Sequence, residues 1–331
     1  MTQGNGTSPV LSIRNLTTTI QSDGLIFDVV RGLSLDVYPN ERVCLVGESG
    51  CGKTIAALSV MRLLPEAGEI TGGSILFKGR ELVSTSERDI RAIRAEEISM
   101  IFQDPLTSLD PSFTVGSILK ELIKVHRGGD DKSAAALALA TLAEVEIPDA
   151  KSRMDAYPHQ LSGGMRQRVM IAMALVLDPD LLIADEPTTA LDVTVQAQIL
   201  ERLVEEQRQR QMAMLLITHD LAVVASVADR VAVMYSGEIV EQAPVDQLFA
   251  DPRHPYTQGL IRALPHVSPR KEPLYSIPGR VPPPQFTPPG CYFAPRCPYA
   301  IERCWQEHPP LEPDGGDRLL RCYNPQPFAL L

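Results

Sequence analysis

The chain has 331 residues, 44% hydrophobic and 22% charged, with a formal net charge of −10. That is apolar material enough for one large domain plus an appendage. The acidic balance argues against a nucleic-acid binder, which needs a basic face for phosphates. The longest apolar run, Val169 to Leu177, spans 9 residues, far short of the roughly 20 that a membrane-crossing helix needs. The opening MTQGNGTSPVLSIRNL has neither a basic start nor an apolar core, so no signal peptide is expected. The expected location is the cytoplasm, with any membrane role supplied by partners.

Residues 10–46 alternate apolar and polar positions in short runs (VLSIR, LSLDVY, RVCLVG), the pattern of strands. The last run leads into Gly47, Glu48, Ser49, Gly50, Cys51, Gly52, Lys53 and Thr54. These fit G-x-x-x-x-G-K-[ST], a loop whose glycines let backbone N–H groups wrap phosphates. Its Lys53 neutralises β/γ oxygens and its Thr54 hydroxyl holds Mg²⁺. Cys51 fills a permissive position within the loop, and Cys44 reads as core. A helix is expected from Gly52 to about Leu64, then a hairpin-like run from Gly72 to Leu82.

MIFQDP follows a strand-like run and carries Gln103, whose uncharged amide can reach metal or water. From about Pro105 to Asp178 the pattern is helical, most clearly over Ser133 to Glu144. Within it, Leu161-Ser162-Gly163-Gly164-Met165 starts a helix on two glycines, each about 1 kcal/mol worse than Ala in a helix interior. A serine cap followed by bare backbone suits N–H groups aimed at an anion, backed by the helix dipole. The plain alternative is a flexible loop before a core helix.

DLLIADEP (180–187) and AMLLITHD (213–220) are short apolar runs ending in carboxylate or imidazole, as buried parallel strands do when chemistry sits at their C-terminal ends. Asp185 can hold the metal and Glu186 can polarise an attacking water. A helix N-cap is the plain alternative for this pair. His219 can contact a γ-phosphate. Val193 to Arg210 has helical spacing, and residues 230–242 read as a hairpin around Ser236-Gly237.

After about Asp251 the composition shifts. Proline becomes dense over 277–290, arguing against regular helices and central strands there. Cys291, Cys297, Cys304 and Cys322 follow with gaps of 5, 6 and 17 residues, unlike the tight C-x₂-C of zinc ribbons. Four thiolates on loops can hold a [4Fe–4S] cluster or a tetrahedral Zn²⁺, or remain free.

Taken in order, GESGCGKT, IFQDP, LSGGM, LLIADEP, TALD and LITHD resemble the nucleotide-binding subunit of an ABC transporter. The resemblance implies an α/β P-loop NTPase core with an antiparallel β subdomain and a helical subdomain at about 105–178. The ABC ATPase domain would span 1–250 and a proline- and cysteine-rich C-terminal lobe 251–331. It further implies head-to-tail dimers in which each ATP lies between one subunit's P-loop and the other's Ser162, Gly163 and Gly164. Asp192, in TALD, would reach towards the opposite site. Gln103 and the segment after it would dock on membrane subunits. Such proteins stack adenine on an aromatic residue before the P-loop. Here, in TTTIQSDGLIFDVV (17–30), Phe27 is the sole aromatic, and its position does not clearly match.

PRHPYTQGLIRALP (252–265) and GCYFAPRCPYAIERCWQEHPPL (290–311) narrow the resemblance to oligopeptide/dipeptide-type importers, most of all their D-type subunits. That implies a peripheral ATPase on the cytoplasmic face of the cell membrane. Its partners would be a second, different ATPase, two permeases and an extracytoplasmic substrate-binding protein, without nucleic acid. The resemblance also favours the [4Fe–4S] cluster at the four cysteines. Nickel or another small solute remains an alternative cargo. A non-transport ATPase of this signature would carry coiled-coil arms or a second P-loop, and a GTPase an NKxD-type motif. The chain has none of these.

Overall fold

The computed structural model describes residues 8–22, 24–104, 108–188, 192–264 and 275–328. Its chain divides into two compact units, residues 1–84 with 216–331, and residues 85–215.

In the first unit, strands β1 (Leu11–Ser22), β2 (Leu25–Val37), β4 (Gly68–Phe77) and β5 (Arg80–Glu81) form an antiparallel sheet in the order β2-β1-β4-β5. Leu11, Ile13, Leu33, Leu35, Ile75 and Phe77 are buried on its inner face, the outcome of period-2 alternation. A hydroxyl pair, Thr18 Oγ1 and Ser59 Oγ at 2.9 Å, fastens this sheet to helix α1 (Lys53–Met61). Strand β3 (Arg42–Val46) pairs in parallel with β9 (Arg230–Tyr235), and β9 pairs antiparallel with β10 (Glu238–Pro244). β3 and β9 are almost wholly apolar and buried along their length, as strands covered on both faces must be.

Helix α1 ends earlier than the sequence pattern suggests. Arg62 adopts φ +50° and its N–H closes on the Leu58 and Ser59 carbonyls, a left-handed stop of the kind that ends many helices. The C-terminal residues belong to the first unit throughout. A helix over Pro255–Arg262 begins on Pro at its first turn, and the short strand β12 (Leu319–Leu320) adds to β10. The proline-dense stretch 277–290 contains only a three-residue turn at Pro284–Phe286, as proline's missing N–H dictates.

The second unit holds β6 (Ile98–Ile101) in parallel with β7 (Leu181–Asp185). Its helices span Glu87–Ile93, Val115–Arg127, Asp131–Glu144, Ala150–Arg153, Gly163–Leu175 and Val193–Arg210. Among the described residues the helical expectation over 105–178 thus resolves into the helices Val115–Arg127, Asp131–Glu144, Ala150–Arg153 and Gly163–Leu175, with loops between them. Ser86, Thr114, Asp130, Ser162 and Asp192 each accept a backbone N–H at a helix start, satisfying otherwise orphaned donors. The Ala-rich helix Asp131–Glu144 is braced by Lys120 and Lys124, which pair with Asp131 at 2.9 and 3.1 Å. Among the described residues no helix is long and apolar enough to cross a membrane.

Candidate functional site

The loop Gly47–Thr54 joins β3 to α1, as its motif requires. Gly52 sits at φ +104°, and a Cβ there would lie 2.6 Å from the Val29 carbonyl oxygen. A Cβ on Gly47 would strike the Met234 carbonyl oxygen. Both positions therefore demand glycine, one for its backbone angle and for space, the other for space alone. The Cys51 carbonyl accepts from Gly237 N–H at 2.9 Å, and the Gly237 carbonyl accepts from Arg31 N–H at 2.8 Å. The β9–β10 turn thereby supports the loop from behind.

Lys53 is 6% exposed and its ammonium donates to the carbonyls of Gly47 (2.8 Å) and Glu48 (3.0 Å). Its charge is held at the loop by these backbone oxygens. Thr54, Ser49 and Gly50 are exposed. Cys51 is buried, and burial raises its thiol pKa despite the neighbouring ammonium, so it packs as a small apolar side chain.

Two residues of the C-terminal segment reach the loop at Glu48. Its carboxylate accepts both ends of the Arg296 guanidinium, at 2.6 and 3.0 Å, and its N–H donates to the Tyr256 hydroxyl at 2.9 Å. Burial is the largest single influence on the Arg296 pKa and lowers it, but the hydrogen bonds and charges of Glu48 and Tyr235 together outweigh it and leave the guanidinium more firmly charged. Sequence reasoning missed both partners. The run around Arg296 drew notice for its cysteines, and a P-loop motif carries no information about what grips its variable positions.

In the second unit, Asp185 ends β7 and is 1% exposed. Glu186 follows at φ +46°, an unfavourable angle for a residue with a side chain and a common feature of functional sites. Gln103 lies on the exposed segment after β6, and its amide donates to the Glu186 carboxylate at 2.9 Å. Two of the expected site residues thus meet directly. Ser162 caps the helix Gly163–Leu175 by accepting the Met165 N–H, and both Ser162 and Gly163 are exposed. A Cβ on Gly164 would come within 3.1 Å of Val195 Cγ1, so Gly164 has a packing reason inside its own chain. Asp192 accepts from Thr194 and Val195 N–H groups as a helix cap. The rest of TALD, 189–191, lies outside the described residues. His219 belongs to the first unit and follows strand β8 (Ala213–Thr218) with an exposed side chain.

The expectation of a ready metal site at Cys291, Cys297, Cys304 and Cys322 is not met. Among the described residues no group of three or more His, Cys, Asp or Glu side chains is arranged to hold a metal ion. The four are free thiols in one neighbourhood. Burial, then the charges of the other three, push Cys322 up to about 12, and burial pushes Cys291 up to about 11. Thiols so raised stay protonated and are poor ligands until a metal displaces the proton.

The glycine-shaped phosphate loop between strand and helix, with a carboxylate pair closing a buried strand, defines a P-loop nucleotide-binding protein. The ABC transporter family model matches residues 30–189, and the model of the oligopeptide/dipeptide transporter C-terminal region matches 240–304. The chain is 48% identical over 316 residues to the dipeptide transport ATP-binding protein DppD of Escherichia coli, covering 96% of this chain and 97% of that one. A putative peptide import ATP-binding protein of Brucella melitensis is 46% identical over 97% of this chain and 98% of its own length. Among solved structures, the dimeric ATP-binding cassette MJ0796, in a post-hydrolysis state with ADP and Pi, aligns with a TM-score of 0.64 at 26% identity. It covers 71% of this chain and 98% of that one. The cbiO1 protein of Clostridium perfringens, part of the transporter complex cbiONQ, aligns with a TM-score of 0.63 at 27% identity, over 73% and 91%. This chain belongs to the ATP-binding, ATP-hydrolysing subunits of ABC transporters, in the branch that carries the oligopeptide/dipeptide C-terminal region.

Proposed function

We propose that the protein hydrolyses ATP to drive the import of di- or oligopeptides, working peripherally at the cytoplasmic face of a membrane assembly. The observation that carries this is the identity to a dipeptide transport ATP-binding protein over 96% of the chain, which spans the phosphate loop and the C-terminal region together.

On this reading the N–H groups of Gly47–Thr54 wrap the triphosphate, and Lys53 exchanges its carbonyl partners for β- and γ-phosphate oxygens. Thr54 contributes an exposed hydroxyl for Mg²⁺, and Asp185 and Gln103 contribute oxygens, chemistry that suits a hard cation. Bound Mg²⁺ would neutralise charge on the phosphates. Glu186 polarises the attacking water as general base. Gln103, hydrogen-bonded to that carboxylate, orients it. His219 contacts the γ-phosphate and reports its presence.

The other half of the site comes from a second, different ATPase subunit packed head to tail. Ser162, Gly163 and Gly164 offer bare N–H groups and a helix N-terminus to the γ-phosphate held by that partner, and Asp192 approaches the partner's site. The dimeric form of the MJ0796 cassette supports a two-subunit arrangement. ATP touches both halves and favours the closed dimer. Hydrolysis removes the bridging phosphate and shifts the population towards open. Two permeases and a substrate-binding protein complete the assembly.

The match of the C-terminal region model at 240–304 supports reading 251–331 as an extension to an ATPase domain over 1–250, with a helical subdomain at about 105–178. A [4Fe–4S] cluster at Cys291, Cys297, Cys304 and Cys322 would fasten the proline-rich stretch. The shared neighbourhood of the four thiols supports it, and ligation would require them to deprotonate and draw together. Iron and acid-labile sulfide in anaerobically purified protein test it, and zinc without iron contradicts it. For the main reading, the reconstituted assembly should hydrolyse ATP faster when peptide is supplied. Glu186→Gln should abolish turnover while ATP still binds. Unchanged hydrolysis in that variant would remove Glu186 from the role of base.

A further inference from the structure

Glu48 is an awkward residue for a phosphate loop. Its carboxylate stands among groups that must receive a strongly anionic triphosphate, and an uncompensated charge there would repel it. The loop gains no donor in return, because the Glu48 N–H is already spent on the Tyr256 hydroxyl. What the residue does have is two attachments to one segment of chain more than 200 positions away in sequence.

Arg296 is built to stay where it is. Its side chain is 4% exposed, its Nε donates to the Pro278 carbonyl at 2.9 Å, and its guanidinium carbon lies 5.8 Å from the Tyr235 ring centre and 5.9 Å from that of Phe293. Tyr235, Tyr256 and Phe293 pack edge-on and tilted, with centroids 4.8 to 5.4 Å apart, and all three are almost wholly buried. This aromatic floor joins β9, the helix Pro255–Arg262 and the cysteine-bearing segment. A buried bidentate Arg–carboxylate pair of this kind fixes position as well as charge.

We propose that Arg296 is a positioning residue of the nucleotide site: it cancels the Glu48 charge facing the incoming triphosphate and, with Tyr256, anchors the phosphate loop to the C-terminal segment. The ATP site of this protein then extends beyond the ATPase core, and residues matched by the oligopeptide/dipeptide C-terminal region complete it. The inference rests on reading Gly47–Thr54 as the triphosphate cradle.

The test measures the affinity of the intact chain for Mg-ATP and Mg-ADP by calorimetry. Arg296→Met should bind Mg-ATP about tenfold more weakly, roughly the effect of one unscreened charge nearby, and lose less affinity for Mg-ADP. Adding Glu48→Gln should restore the affinity of R296M to within about twofold of wild type, since net charge at the loop is then restored and the Tyr256 anchor on the backbone N–H of residue 48 is untouched. Wild-type ATP affinity in R296M, an equal loss for ATP and ADP, or no relief by E48Q would each overturn the proposal. If R296M does not fold, E48Q and R296M/E48Q carry the comparison. The double variant should bind about tenfold more weakly than E48Q, and equal affinities overturn the proposal. Lys53→Met separates the two readings. If K53M binds Mg-ATP normally, the cradle itself is misread. If K53M fails to bind while R296M is unaffected, only the inference falls.

Discussion

Single residues carry much of the site's geometry, two of them through backbone angles that residues with side chains rarely adopt. Gly52 combines a left-handed backbone with a carbonyl oxygen where a side chain would begin, so Gly52→Ala faces strain and collision together. Its stability should fall by at least the roughly 1–3 kcal/mol that one strained backbone position costs, with loss of ATP binding. Chemical denaturation alongside nucleotide titration measures both, and an unchanged midpoint with unchanged binding would contradict the account. Glu186 stores a similar strain at φ +46° in a side chain that can carry chemistry. The loop was legible in the sequence because local backbone demand and residue identity coincide at Gly47, Gly50 and Gly52. The Arg296–Glu48 pair was not, because its two members lie 248 residues apart, Glu48 fills a variable position of the phosphate-loop motif and Arg296 belongs to no spaced motif.

Elements divide along the same line. β7 and β8 are continuous apolar runs and read as buried strands. The helices Glu87–Ile93 and Leu221–Val227 escaped notice, since seven residues hold barely two turns of periodicity. They are secured by caps, Ser86 and Asp220. The helix Pro255–Arg262 depends on a cap of another kind. His254 Nδ1 accepts the Tyr256 N–H at 3.0 Å, and full burial, reinforced by Arg321, pushes the His254 pKa down to about 3. An unfolded histidine takes up its proton near pH 6.5, whereas this one stays neutral to about 3. Between those values the unfolded state binds more protons, so stability rises with pH there and is lost on acidification. The slope from this group approaches 1.4 kcal/mol per pH unit. His254→Asn, which keeps an acceptor without the titration, should flatten the dependence of the unfolding midpoint between pH 4 and 6 relative to wild type. An identical slope in the two proteins would show that His254 is not its source.

At the scale of the whole molecule, the C-terminal residues are woven into the unit that carries the phosphate loop. β12 extends β10, and the Glu241 carboxylate accepts the N–H groups of Arg253 and His254 at 2.9 and 3.0 Å. Composition announced the change of character after Asp251, because proline density is visible in a sequence. That the segment turns back onto a strand and a loop of the core is a matter of long-range packing, to which composition is blind. The signature Ser162-Gly163-Gly164 poses the converse case. Ser162 and Gly163 are exposed at a helix start, and the use proposed for their N–H groups requires a second polypeptide. The most direct measurement is a cryo-electron microscopy structure of the full transporter bearing Glu186→Gln and loaded with Mg-ATP. The account predicts a triphosphate cradled by Lys53 on one side, with Ser162 and Gly164 N–H groups of this chain within hydrogen-bond distance of the γ-phosphate in the neighbouring subunit's loop. Finding the Ser162 turn directed at solvent, away from any neighbour's nucleotide, would contradict it.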